Sequence, residues 1–110
     1  MSHDRPTIST HVLDTGLGRP AAGVPVRLAV ILDDGAHKAI GEGVTDIDGR
    51  IGSLIEPLVT GTYRLTFELH AYSRGFFREV TLEVAIDDAT RSYHVPLLIA
   101  PFGVTSYRGS

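Results

Sequence analysis

The chain has 110 residues and a formal net charge of −3, which is enough for one hydrophobic core, so we expect a single domain over residues 1–110. It contains no cysteine, which excludes disulfides, thiolate nucleophiles and cysteine-based zinc sites. Its ten lysines and arginines are scattered, so no basic surface for nucleic acid is expected. No apolar stretch reaches the roughly 20 residues of a membrane-spanning helix, and the polar start lacks a signal-peptide core. We therefore expect a cytoplasmic protein without a membrane partner.

The first two predicted strands show an alternation of side chains with a period of two. The alternation over residues 7–13 places His11 on the face opposite Ile8 and Val12, and a glycine-containing turn follows. Residues 24–32 alternate in the same way, and Pro25 indicates either an edge strand or the start of a strand. Both segments are typical of half-buried strands.

The middle of the chain is less regular. Residues 37–45 predict a weak strand with two internal glycines, and an Asp-Gly pair then predicts a tight turn directly before Arg50. Residues 54–59 are short and contain Pro57, so they are predicted to be irregular or to form an edge segment.

Two clearer strands follow. Residues 63–69 alternate between apolar and polar side chains, and in residues 80–86 the apolar side chains at 80, 82, 84 and 86 alternate with Thr81 and Glu83. The intervening residues 70–77 are too few for more than about two helical turns, and Gly75 weakens even those.

The last predicted strand, residues 93–100, is apolar on both of its faces. A strand at the surface of an isolated domain normally has one polar face, so the second apolar face predicts a cover, most simply a partner subunit. By the period of two, one face carries Tyr93, Val95, Leu97 and Ile99, and the other carries His94, Pro96, Leu98 and Ala100.

Short strands at intervals of about ten residues, with almost no helical periodicity, predict an all-β fold. We expect an antiparallel sandwich of seven to eight strands with at most one short helix.

The chemistry is restricted by what the sequence lacks. Four histidines, at positions 11, 37, 70 and 94, show neither the i,i+2 nor the i,i+4 spacing typical of metal ligands. The sequence has no phosphate-binding loop, no Gly-x-Ser-x-Gly elbow and no dinucleotide-binding glycine pattern. We therefore predict no metal and no cofactor.

Histidine and arginine remain as candidates. His11 and His94 both lie on the outward faces of their strands, and a neutral imidazole can accept a proton near pH 7. A guanidinium such as that of Arg50 can hold a planar anion through paired hydrogen bonds. Taken singly, the histidines are ordinary surface or interface residues, Arg50 is a solvated turn residue, and Tyr107 is a packing aromatic.

Four short segments of the chain are distinctive. They are Ser9-Thr-His-Val-Leu-Asp14, Thr45-Asp-Ile-Asp-Gly-Arg50, Tyr93-His-Val-Pro-Leu-Leu98 and Ser106-Tyr-Arg-Gly-Ser110. Together they resemble the 5-hydroxyisourate hydrolases, the transthyretin-related enzymes of purine catabolism. The terminal Tyr-Arg-Gly-Ser is the feature that separates these hydrolases from the hormone-carrying transthyretins. The resemblance implies a transthyretin-like sandwich that assembles as a homotetramer, a dimer of dimers, with active sites in the channel between dimers.

The resemblance also implies a reaction and a set of residues. Water opens the six-membered ring of 5-hydroxyisourate without a metal, giving 2-oxo-4-hydroxy-4-carboxy-5-ureidoimidazoline in urate degradation. His11 and His94 would handle the water and its proton, and Arg50 would hold the ring and stabilise the attacked oxygen. Tyr107 would close the pocket, and Ser110 would contribute to substrate binding.

Two further readings remain open. A non-catalytic transthyretin-like module would hold a small aromatic ligand in the same channel, but it would have little need of two histidines, an arginine and this tail. A structural adhesion sandwich would leave the second apolar face unexplained. The chain also departs from the family at residues 70–77, where family members usually have a longer segment with a short helix.

Overall fold

A computed structural model describes residues 5–109 of the chain. Over this range it has nine strands and one short 3₁₀ turn at Leu69–Ala71. The predicted fold class, an all-β sandwich with at most one short helix, is confirmed. The strands are β1 (Ile8–Asp14), β2 (Arg19–Pro20), β3 (Pro25–Ile31), β4 (His37–Val44), β5 (Arg50–Ile51), β6 (Gly61–Phe67), β7 (Val80–Ile86), β8 (Tyr93–Ala100) and β9 (Gly103–Ser106).

The strands form two sheets. The first has the order β2-β1-β8-β9, with β5 also pairing with β1, and the second has the order β4-β3-β6-β7. All pairs are antiparallel except β1 with β8, which run parallel over their whole length from Ile8↔Tyr93 to Asp14↔Ile99. The first and last long strands of the chain thus lie side by side at the centre of the first sheet.

The core lies between the sheets, and the predicted alternation holds. In β1 the residues of one parity, from Ile8 to Asp14, are buried, and those of the other parity are partly exposed. Thr10 is a polar residue on the inner face, and its hydroxyl donates to the carbonyl of Val95 at 2.6 Å, so the hydroxyl is not left unpaired. Tyr63 and Phe67 of β6 are fully buried in the same core.

The outer face of β8 differs in one respect from the sequence-based expectation. Leu98 and Ala100 are partly exposed, as predicted, but Pro96 is already buried within the single chain. Pro96 faces His11 across the parallel ladder, and its carbonyl accepts a hydrogen bond from the Ser106 hydroxyl at 2.7 Å. The chain itself therefore covers part of the face that was expected to need a partner.

Other boundaries were predicted with mixed success. Pro25 begins β3, which lies between β4 and β6, so the edge alternative was wrong. Residues 54–59 form no strand, as expected. The two-residue strands β2 and β5 were not predicted, because two residues carry no periodicity. Within residues 5–109 no helix has the length and apolarity that crossing a membrane requires.

A tight turn, residues 46–50, connects β4 to β5. One carboxylate oxygen of Asp46 accepts hydrogen bonds from the backbone N–H groups of Asp48 and Arg50, both at 2.9 Å. Gly49 has φ +78°, which is a left-handed conformation, and its carbonyl accepts from Val12 N at 2.7 Å. A side chain at Gly49 would collide with the Val12 carbonyl, so both the backbone conformation and the space require glycine.

Gly49→Ala should therefore destabilise the fold more than an alanine at another left-handed glycine. Gly35, with φ +85° and open space around it, is the matched control. Gly35→Ala should cost only the conformational penalty of about 1–2 kcal/mol. Gly49→Ala should cost about 1–3 kcal/mol more, because β1 and the turn must move apart. Urea unfolding of both variants measures the difference, and equal losses would contradict this account.

Candidate active site

Three of the predicted site residues, His11, Arg50 and His94, lie on the outer face of the first sheet, where β1 runs between β5 and β8. His11 is opposite Arg50 in the antiparallel β1–β5 pair. Ser9 is opposite His94 in the parallel β1–β8 pair. Because alternate residues of a strand share a face, Ser9 and His11 both present their side chains on the side away from the core. Three segments distant in sequence therefore contribute to one surface.

The structure fixes the proton on one nitrogen of His11. Its Nε2 lies 2.8 Å from the carbonyl oxygen of Asp48. A carbonyl can only accept, so Nε2 must carry the hydrogen. In the neutral ring the lone pair is then on Nδ1, and this is the nitrogen of His11 that can accept a proton from another molecule.

Arg50 is exposed, and its place is set by the turn that precedes it. The turn is anchored at its start by the buried Thr45, whose hydroxyl donates to the Ala21 carbonyl at 2.7 Å and accepts from Val24 N at 2.9 Å. Asp46 then holds the backbone N–H of Arg50. The residues of the motif Thr45-Asp-Ile-Asp-Gly-Arg50 thus position Arg50 beside β1.

His94 is partly buried, and its Nδ1 lies 2.9 Å from the hydroxyl of Ser9. Burial lowers the pKa of His94 below the ordinary value of 6.5, and the positive charges of Arg50 and His11 lower it further. All three causes favour the neutral imidazole. His94 is therefore an unprotonated histidine at neutral pH, as a general base must be.

The C-terminal tail, which the structure describes over residues 107–109, reaches the same histidine. Gly109 N donates to the His94 carbonyl at 2.8 Å. A Cβ at Gly109 would lie only 2.7 Å from Cδ2 of the His94 ring, so the tail backbone lies against that edge of the imidazole. Tyr107 instead lines a cavity of about 370 Å³ between β7, β8 and the tail, a cavity whose lining includes neither histidine nor Arg50. Ser110 lies outside the described residues.

The structure thus brings together His11, Arg50 and His94, and it adds groups that the sequence did not identify. Ser9 could have been found from its parity with His11, but its partner depends on the parallel register of β8. The Asp48 carbonyl gives no side-chain signal in the sequence, because any residue supplies a carbonyl. Over residues 5–109 no group of three or more histidine or carboxylate side chains is arranged to hold a metal ion.

Comparison with known proteins identifies the family. Residues 8–109 match the model of the HIUase/Transthyretin family. The chain belongs to this family. The resemblance noted from the four sequence motifs is confirmed.

Among curated proteins, a 5-hydroxyisourate hydrolase from Deinococcus radiodurans is 42% identical over 116 residues, which cover 96% of this chain and 97% of that protein. The uric acid degradation bifunctional protein TTL from Arabidopsis thaliana is 41% identical over 122 residues. That match covers 96% of this chain, but the chain spans only 38% of the plant protein's length.

Solved structures give the same family. The 5-hydroxyisourate hydrolase of Klebsiella pneumoniae superposes with a TM-score of 0.82 at 36% identity, covering 94% of this chain and 99% of the other. Transthyretin from Sparus aurata superposes with a TM-score of 0.88 at 28% identity, covering 96% and 97%. The fold is therefore shared by a hydrolase and by a transthyretin.

The lowered pKa of His94 gives a prediction that needs no substrate. A proton NMR titration of the His94 ring should show a midpoint below 6.5. Arg50→Gln, which removes one of the two repelling charges, should raise that midpoint. Because unfolded His94 binds a proton more readily than folded His94, its contribution to stability is complete above about pH 6.5 and is lost as the pH falls through the folded pKa. A midpoint at or above 6.5 in the native protein would contradict the assignment.

Proposed function

We propose that this chain hydrolyses 5-hydroxyisourate to 2-oxo-4-hydroxy-4-carboxy-5-ureidoimidazoline in urate degradation. The observation that carries the proposal is the convergence of His11, Arg50 and His94 on one sheet face, in a chain 42% identical to a 5-hydroxyisourate hydrolase over nearly the full length of both. The curated relatives confirm the function predicted from the four motifs, a hydrolase of urate breakdown.

The residues support defined roles in this reaction. His94, neutral at pH 7, takes a proton from water through Nε2 while the water oxygen bonds to the lactam carbonyl carbon. The guanidinium of Arg50 holds the planar ring and stabilises the negative charge that develops on the attacked oxygen. His11 has its lone pair on Nδ1 and orients the water. When the carbon–nitrogen bond of the ring breaks, the proton held by His94 passes to the leaving nitrogen, so atoms and charge balance.

The tail is assigned a supporting role. Gly109 packs against the His94 ring and brings the chain end to the site. Tyr107 would close the pocket over the substrate, and Ser110 would bind the substrate. In the single chain Tyr107 is 57% exposed and lines the neighbouring cavity, so a closing role requires its side chain to turn toward the histidines or to act on an adjacent subunit.

A non-catalytic module that binds a small ligand is the alternative. The fold does not separate the two functions, because the transthyretin superposes at least as well as the hydrolase, with TM-scores of 0.88 and 0.82. The site favours the hydrolase. A channel that only held an apolar ligand would gain nothing from a desolvated neutral histidine held beside an arginine and a second histidine.

We also propose a homotetramer as the active assembly, as the family resemblance implies, and the cytoplasm as its location, as the sequence led us to expect. In the single chain the site is an open surface with an exposed Arg50. Next to it on the same face lies the partly exposed Leu98, two positions beyond Pro96. Hydrolysis benefits from a site that excludes bulk water, because charge stabilisation is stronger there. A second subunit across this face would supply the exclusion.

The enzymatic proposal is tested by following the ultraviolet absorbance of freshly made 5-hydroxyisourate. The protein should accelerate its decay, and a chelator should not change the rate. Arg50→Lys should lose at least about tenfold in rate, nearly as much as Arg50→Ala, because an ammonium cannot make two parallel hydrogen bonds to a planar ring. A lysine variant that keeps more than about a tenth of the rate would reduce Arg50 to a turn residue.

The assembly proposal is tested with Leu98→Glu. A charge on the covered face should give a smaller species by light scattering and should lower activity, while the sandwich remains folded. Ala39→Glu is the control, since Ala39 is exposed on β4, which belongs to the second sheet and not to the proposed covered face. An unchanged assembly in Leu98→Glu would refute the assignment of this face.

A further inference from the structure

Ser9 is a polar residue of the site to which no role in the reaction has been given. It is partly exposed on the outer face of β1, and its hydroxyl lies 2.9 Å from Nδ1 of His94. The two residues are direct partners in the parallel ladder, so rigid backbone on both sides fixes their separation. The contact is therefore a built feature of the central strand pair, and it does not depend on a mobile loop.

The hydrogen bond and the tail select the same orientation of the His94 ring. A half-turn about the Cβ–Cγ bond would exchange Nδ1 with Cδ2. Nδ1 would then face Gly109, which now lies against Cδ2, and a carbon would face the Ser9 hydroxyl. The flipped ring thus loses its hydrogen bond to Ser9. In the observed orientation Nε2 is directed away from Ser9.

The direction of this hydrogen bond decides which nitrogen is the base. If the hydroxyl donated to Nδ1, the neutral ring would carry its proton on Nε2, and Nδ1 could accept a proton only after the hydroxyl had rotated away. If Nδ1–H donates to the hydroxyl oxygen, the lone pair is on Nε2 and the same bond persists in the imidazolium. Only the second arrangement keeps one hydrogen bond unchanged before and after the ring accepts a proton.

We propose that Ser9 is a positioning residue that accepts a hydrogen bond from Nδ1–H of His94 and thereby holds Nε2 as the proton acceptor for the attacking water. This inference rests on the proposed function for its consequence in catalysis, but the protonation pattern itself is a property of the free protein. The two histidines then have opposite tautomers, because His11 carries its proton on Nε2 to reach the Asp48 carbonyl.

The first test is nitrogen NMR of the protein with ¹⁵N-labelled histidine, in alkaline buffer where imidazoles are neutral. Wild-type His94 should be protonated on Nδ1. Free histidine prefers the proton on Nε2, so Ser9→Ala should shift His94 toward that form. Ser9→Thr, which keeps a hydroxyl, should retain the wild-type pattern. A wild-type ring protonated on Nε2, or a Ser9→Ala spectrum identical to the wild type, would overturn the proposal.

The second test is kinetic. Ser9→Ala should lower kcat about tenfold with KM changed less than about twofold, because the base is misaligned while the ring contacts of the substrate remain. Ser9→Thr should recover most of kcat. Ser73→Ala removes a serine hydroxyl from the exposed loop after β6 and should leave kcat, KM and the melting temperature unchanged. Ser9→Ala with wild-type kcat would overturn the positioning role.

The two tests separate the two proposals. If the wild-type protein fails to open 5-hydroxyisourate, the proposed function is wrong, and the nitrogen spectra still decide whether Ser9 sets the tautomer. If the protein is active but the spectra of the wild type and Ser9→Ala coincide, the function stands and the role of Ser9 is refuted.

Discussion

The parallel pairing of β1 with β8 is the constraint on which the rest of the structure depends. It joins the two ends of the chain at the centre of one sheet, and its register places Ser9 beside His94 and His11 beside Pro96. A slip of β1 by one residue would turn the buried Ile8 and Val12 toward solvent and would bring His11 into the core. The hydrophobic pattern that stabilises the fold therefore also fixes the geometry of the site.

The turn before β5 is the second requirement, and it works by different means. Where β1 and β8 rely on buried apolar side chains, residues 46–50 rely on backbone hydrogen bonds to Asp46 and on a left-handed glycine at position 49. Such a turn is rigid without being buried. It can hold the exposed Arg50 beside His11 at the surface, where a substrate can reach it. A hydrolase and a transthyretin share the sandwich, so the fold alone does not assign the function.

The accuracy of the sequence-based predictions depended on how far apart along the chain the interacting residues lie. The strands with clear alternation, such as β6 and β7, were predicted because their pattern is local. Pro96 was expected to need a partner's cover, but β9 folds back beside it and the Ser106 hydroxyl donates to its carbonyl. This contact joins two strands, so the alternation within β8 could not predict it. Tyr107 was grouped with the histidines because the terminal Tyr-Arg-Gly-Ser resembles that of the hydrolases, and in the structure Tyr107 lines the cavity beside β7.

The sequence by itself determined the all-β fold, the outward faces of His11 and His94, and the turn before Arg50, because each depends on residues that are close together in the chain. It also determined the family, because the family is recognised from short motifs. The tertiary structure decided which residues meet. The contact of Ser9 with His94 joins positions 85 residues apart, and the proton on His11 is fixed by a backbone carbonyl of Asp48 that has no signature in the sequence. The lowered pKa of His94 likewise arises from burial and from charges on two other strands, so it exists only once the sheet has formed.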